Sequence, residues 1–289
     1  MPTPRAKLPF TAVFTQRDVV AAGCTRAMVR GWRERGEVVT IANGVFAPSG
    51  MEKLDEVREI FQSRQVANGE IPVPVLGAAR LHGLWIPPDP HPALRKPPTA
   101  VPDEYLHELH GLKVPSIAWT AMNLARWQQL PGVLVAFDSA IRLGADVGEL
   151  RELANVAYCW PGSRDLASAV DHVDRLSGSA LESWSRGLMI RTKLPKPVLQ
   201  HRIRYRGRTY YADFCWPELG LIGEADGLSK YENANAIAGE KHRQEDLQAL
   251  GYRIFRWTWK SVYPDSRPWR HALALQLQGS ATRWRHRAS

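Results

Sequence analysis

Cysteine is nearly absent. The three present, Cys24, Cys159 and Cys215, stand far apart in a chain of 289 residues. That usage excludes a disulfide framework and the paired spacing of a zinc site, and it fits a reducing cytoplasm. No apolar run approaches the roughly 18 residues needed to cross a bilayer, so no membrane partner is expected. The first residues, MPTPRAKLPFTAVF, lack the continuous apolar centre and cleavage site of a secretory leader. There is no internal repeat and no low-complexity tract. With 44% hydrophobic and 23% charged residues the chain is not a disordered polymer. At roughly 100–200 residues per domain, two or three domains are expected.

Acid is short overall, leaving a formal net charge of +9. Divided along the chain, this becomes +4 over residues 1–50, −4 over 51–177 and +9 over 178–289. Basic charge concentrated in segments is one electrostatic footprint of a nucleic-acid binder. An ordinary basic surface is the alternative.

Residues 14–50 read as one small unit. In FTQRDVVAAG, Thr15 is an N-cap and Gly23 a stop. TRAMVRGWRERG forms a second helix from Thr25 to Gly36, with Met28, Val29 and Trp32 inward. EVVTIANGVFAP then gives two short β runs about Asn43-Gly44, a hairpin signal. Helix, turn, helix and hairpin make a winged helix-turn-helix, whose second helix enters the major groove. Arg26, Arg30 and Arg33 on that helix are the candidate DNA contacts, against the reading of a merely solvated face.

Residues 51–177 read as a mostly helical middle domain. A charged helix covers 51–66, LGAARLHGLW holds a short one, and further helices fall at 119–127, 134–144 and 147–157. Between them lies a connector, 87–102, holding seven of the 21 prolines. It can be neither helix nor central strand. His82, His107 and His110 show no metal-ligand spacing.

Residues 178–276 carry the chemistry, with a basic tail at 277–289. SALESWSRGLMIRTK is a helix capped by Ser179, with Glu182 completing a capping box. LQHRIRYRGRTYYADFCW gives two β runs bent at Arg206-Gly207, and ELGLIGEADG a third. NANAIAGEKHRQEDLQALG is a helix, and YRIFRWTW a last strand in which Trp257 and Trp259 read as core. The order is αβββαβ. If Pro217–Gly220 form a symmetric turn, Asp213 lies opposite Glu224, and Asp226 shares the face of Glu224 by period two. Three carboxylates on one patch repel, and a divalent cation would offset this: Mg²⁺, or Mn²⁺ in its place. Pairing of Glu224 with an arginine is the bland alternative. A one-residue slip would scatter the set.

The stretches SALES, YYADFCWPELGLIGEADG, EKHRQEDLQALGY and RIFRWTW, over about 179–260, resemble the PD-(D/E)XK nuclease superfamily, in its Vsr-like endonuclease form. FTQRDVVAAGCTRAMVRGWRERGEVVTIANGVFAP resembles the winged-helix N-terminal domain of AbiEi-type antitoxins, and VPSIAWTAMNLARW a stretch further along those proteins. The resemblance implies an α+β or α/β multidomain chain ending in a restriction-endonuclease-like core. It makes Glu182 the helix acid, Asp213 the central metal ligand and Glu224 the acid of the (D/E)XK element. Asp226 stands where the motif has lysine, and Ala212 where a strict motif has proline. Lys230 is the first choice for the missing ammonium and Lys241 the second, with Arg243 a phosphate contact. Two functions follow as expectations: an Mg²⁺-dependent DNA endonuclease, or an AbiEi-like regulator with a degenerate nuclease fold and a toxin partner encoded nearby.

Overall fold

A computed structural model describes residues 7–42, 44–51, 54, 55, 57, 58, 60, 61, 72–96, 101–110, 112–159, 162–226 and 234–285. Asn43 and Lys230, both singled out above, lie outside them. The fold is a mixed helix-and-sheet one. Among the described residues no helix is long and apolar enough to cross a membrane.

The N-terminal unit begins with a short strand, β1 (Phe14–Thr15). Helices α1 (Gln16–Ala21) and α2 (Arg26–Glu34) and strands β2 (Val38–Ala42) and β3 (Val45–Pro48) follow. Each helix starts where a threonine replaces missing backbone partners: Thr15 Oγ1 accepts from Asp18 N at 3.3 Å and Thr25 Oγ1 from Met28 N at 3.3 Å. Gly23, at φ 69°, turns the chain between them. Val29 and Trp32 of α2 pack with Phe14, Val19, Val38 and Phe46. The strands pair in the order β1-β3-β2, all antiparallel. The sheet's other face is covered as well. Ile41, Val45 and Ala47 pack with Val57, Phe61, Val73, Leu112 and Val114, so one hydrophobic core runs across residue 50.

In the middle region α3 (Val75–His82) stops at Gly83, φ 77°. Among its described residues the proline-rich stretch holds a 3₁₀ turn at Pro92–Arg95, and it leads to a second at Asp103–Tyr105. A hairpin of β4 (Leu106–Leu109) and β5 (Leu112–Pro115), four residues each, comes next. Four helices then bury one apolar core: α4 (Ile117–Ala125), α5 (Leu130–Arg142), α6 (Val147–Val156) and α7 (Ser163–Val170). Residues 54–61 are helical at each described position, within the helix expected over 51–66.

The C-terminal unit runs α8 (Ala180–Arg191), β6 (Val198–Tyr205), β7 (Arg208–Trp216), β8 (Leu221–Ala225), α9 (Ala234–Ala249) and β9 (Arg253–Trp257). This is the expected αβββαβ order. The helices α10 (Trp259–Val262) and α11 (Arg267–Arg285) follow, so most of the stretch read as a basic tail continues a helix. The sheet order is β6-β7-β8-β9, with β9 parallel to β8 and the rest antiparallel. Arg206 and Gly207, at φ 48° and 75°, turn β6 into β7. One face packs Phe214, Trp216, Leu221, Ala225 and Trp257 on α8 and α11. The other packs Ile203, Ala212, Cys215 and Ile222 against Leu247 of α9.

Helix α8 also packs against α5. A Cβ at Gly187 would lie 2.4 Å from the Pro131 Cα, so this crossing needs glycine. Beside it Arg186 Nη2 binds both oxygens of Asp138, at 2.7 and 2.6 Å, with the Asp138 side chain fully buried. The middle and C-terminal units are thereby bolted together by an ion pair in which one guanidinium nitrogen serves both carboxylate oxygens in a desolvated setting.

Candidate active site

The site begins at the first turn of α8. Ser179 Oγ accepts from Glu182 N at 3.2 Å and donates to Glu182 Oε1 at 2.9 Å. Glu182 Oε2 accepts from Gly178 N at 2.7 Å and from Gln200 Nε2 at 3.2 Å. A side chain on residue 178 would crowd this carboxylate, since a Cβ there would sit 3.0 Å from Glu182 Oε1. The same Gln200 nitrogen donates to Asp213 Oδ1 at 3.3 Å, and Asp213 Oδ2 accepts from Ala225 N at 3.0 Å. One amide thus bridges two carboxylates from α8 and β7, and β8 closes the chain. Glu182 is 7% exposed. Burial first, and the Asp213 charge second, push its carboxyl above the ordinary range.

Backbone geometry puts Asp213 there. The β7–β8 ladder pairs Phe214 with Gly223, Cys215 with Ile222 and Trp216 with Leu221, which is the register of a symmetric turn at Pro217–Gly220. Continuing it sets Asp213 opposite Glu224. Yet Phe214 belongs to the α8 face and Ala212 to the α9 face, so β7 changes face at Asp213. Its neighbour on β6, Gln200, has φ 46°, a left-handed conformation uncommon outside glycine. At this irregularity the Asp213 carboxylate leaves the regular alternation and meets Gln200 and the β8 backbone.

Glu224 goes the other way. It lies on a wholly buried strand, is itself 4% exposed, and points toward α9. Arg256 Nε, from the parallel partner position on β9, donates to Glu224 Oε2 at 2.9 Å, and Arg243 Nη2 of α9 donates to its other oxygen. Glu240 joins both arginines, 3.2 Å from Arg243 Nη1, and Asp226 Oδ2 lies 3.7 Å from Arg256 Nε. Burial alone would raise the Glu224 carboxyl, but the two guanidiniums outweigh it and hold it below the ordinary range.

The expected convergence of Asp213, Glu224 and Asp226 is therefore divided. Asp213 joins Glu182, while Glu224 and Asp226 join Arg256. Among the described residues no group of three or more His, Cys, Asp and Glu is placed to hold a metal ion. Arg243 turns inward to Glu224, and Lys241 is exposed on α9. His242 is exposed beside Glu245, 3.5 Å away. Arg26, Arg30 and Arg33 all lie exposed on α2, away from its buried Val29 and Trp32. Gln200 and Arg256 are the residues that sequence reasoning missed as site members. Nothing in the sequence marks Gln200, and the position of Arg256 depends on a parallel pairing that a helix-length crossover leaves open. A separate cavity of about 320 Å³, lined by Trp127, Trp184 and Tyr263, includes none of these acids.

Chemically, the Glu182–Gln200–Asp213 unit is a pair of acids within a basic unit. Two carboxylates share one neutral donor, and one of them is already driven toward protonation. Such a pair binds a proton or a cation favourably.

Two uncharacterized proteins from two strains of Mycobacterium tuberculosis are similar to this chain, each 30% identical over 153 residues. Those residues are 52% of this chain and 56% of the relative, so the chain spans about half the length of the curated relatives it matches. No known family profile matches the chain. No solved structure matches it either.

Proposed function

We propose that the chain is a DNA-binding protein whose C-terminal unit hydrolyses phosphodiester bonds with Mg²⁺ or Mn²⁺, on a PD-(D/E)XK, Vsr-like core. The carrying observation is the Glu182–Gln200–Asp213 unit, two carboxylates brought to one amide in the most basic third of the chain. The donor set fits a hard cation, because Mg²⁺ is held by one or two carboxylates and otherwise by water and phosphate oxygens. Glu182 and Asp213 would hold it. When bound, it supplies Lewis-acid polarisation of the phosphodiester and a more acidic water. Gln200 keeps the two carboxylates at a fixed spacing, and Ser179 and the Gly178 N–H orient Glu182. The helix-turn-helix of α1 and α2, read as part of a winged helix, delivers the chain to duplex DNA through Arg26, Arg30 and Arg33.

The test is nicking of supercoiled plasmid by purified protein with Mg²⁺, against Asp213→Ala and Glu182→Gln. Cleavage that needs the metal and is lost in both variants supports the reading. Cleavage unchanged in both refutes it.

One observation favours a second reading, an AbiEi-like transcriptional regulator with a degenerate nuclease fold. Glu224, the acid of the family's motif, is neutralised by Arg243 and Arg256. Sequence-specific binding near its own promoter without metal-dependent cleavage would support this, as would a toxin gene next to it.

A further inference from the structure

The four-stranded sheet is not uniform in length. The β7–β8 ladder ends at Phe214↔Gly223, whereas β6 and β7 stay paired from Val198↔Cys215 out to Tyr205↔Arg208. Beyond Gln200 and Asp213 the sheet narrows to a two-stranded ribbon. One face of this ribbon is covered. Ile203, Tyr210 and Ala212 pack toward Leu247 of α9, the Tyr210 hydroxyl donates to Asp246, and Arg208 Nη1 lies 3.7 Å from the same carboxylate. By period two, Arg202, Arg204, Thr209 and Tyr211 occupy the opposite face. The register agrees, with Arg202 across from Tyr211 and Arg204 across from Thr209.

That second face is open. Arg202, Arg204 and Thr209 are exposed, and Tyr211 is 56% exposed. The side chains of Arg202 and Arg204 make no hydrogen bond or ion pair among the described residues, although those of Arg208 on the covered face and Arg243 on α9 do. The open face is on the α8 side of the sheet, and along β6 it leads straight to Gln200 between Glu182 and Asp213. From Gln200 to Arg204 the strand advances about 13 Å.

We infer that this ribbon face is the track along which a DNA backbone reaches the Glu182–Asp213 acids, with Arg202 and Arg204 each meeting a phosphate and Tyr211 standing across the ladder from Arg202. The inference rests on the proposed DNA reading and adds a surface separate from α2. Charge complementarity selects the occupant: two unpaired guanidiniums suit a phosphodiester strand, and the two acids at the end of the track suit only the point where a cation joins it. An exposed aromatic ring beside them offers a stacking face to a base or sugar.

The experiment measures affinity for a fluorescein-labelled DNA duplex by anisotropy over a series of NaCl concentrations. It uses the full chain, the variant Arg202→Ala with Arg204→Ala, and the variant Arg26→Ala with Arg30→Ala and Arg33→Ala. Two lost phosphate contacts lower the slope of log affinity against log salt by about 1.8. The ribbon variant should show that fall and a roughly tenfold or greater loss of affinity at low salt. Arg202→Lys with Arg204→Lys should restore the slope, because a point charge suffices for counterion release. Its failure to do so would overturn the phosphate assignment. A duplex bound by the wild type with the same affinity and slope as by the Ala ribbon variant, while the α2 variant binds less, overturns the ribbon alone. No binding by the wild type overturns the DNA reading, and the ribbon with it.

Discussion

Replacing Glu182 by Gln tests whether the Glu182–Asp213 pair is strained for a cation. Oxygens of Glu182 and Asp213 lie 3.2 and 3.3 Å from one nitrogen, so they are at most about 6.5 Å apart. At an effective dielectric of about 20, two charges at that separation repel by about 2.5 kcal/mol. The substitution removes this without orphaning a partner. The Gln oxygen can accept from Gly178 N and Gln200, and its NH₂ can donate to Ser179 Oγ, whose hydroxyl rotates. The sign follows from the raised carboxyl of Glu182, whose ordinary value is 4.5. Stability linked to this shift is fully present below about 4.5 and is lost as pH rises through the folded-state value. Glu182→Gln should therefore match the wild type in acid and exceed it at neutral pH by up to about 2 kcal/mol, or roughly 3 °C in Tm for a chain of 289 residues. Scanning calorimetry across pH reads this. Added Mg²⁺ should narrow the gap by stabilising the wild type more than the variant. A variant less stable than the wild type by the same amount at every pH would refute the argument.

Arg186→Ala should destabilise the chain by about 3–5 kcal/mol in urea, because it leaves the fully buried Asp138 carboxylate uncompensated. Asp138→Leu with Arg186→Leu should cost much less, since no charge is stranded. Gly187→Ala forces a Cβ against the Pro131 backbone and should lower stability by about 1–3 kcal/mol, read as a fall in Tm. Thiol titration of the native chain at mildly alkaline pH should label the exposed Cys159. It should spare Cys215, whose thiol is pushed up to about 12 by burial, until denaturant is added.

Local chemistry was legible along the chain because it depends on near neighbours. Thr15 and Ser179 cap their helices in the structure, Arg206-Gly207 turns a hairpin, and the αβββαβ order of the last unit needs only periodicity and turn residues. The β7–β8 register was legible too, because a short turn leaves little choice. The β4–β5 hairpin and α11 were not. Strands of four residues beside prolines carry almost no alternation, and α11 carries its four arginines at its two ends, so its last turns resemble a basic tail.

The direction of the acids was beyond sequence reasoning. Register sets which residues face one another across a ladder, but it does not set which way a carboxylate points where a strand changes face. Gln200's left-handed backbone sends Asp213 to Glu182, and the parallel return of β9 delivers Arg256 to Glu224. The sequence by itself determined that four acids, Glu182, Asp213, Glu224 and Asp226, fall within one basic unit. Only the tertiary structure decided that Asp213 pairs with Glu182 across an amide and that Glu224 is held by two arginines. The physical reason is that helix caps and tight turns are closed by residues a few positions apart, whereas these contacts join residues from 13 to 32 positions apart.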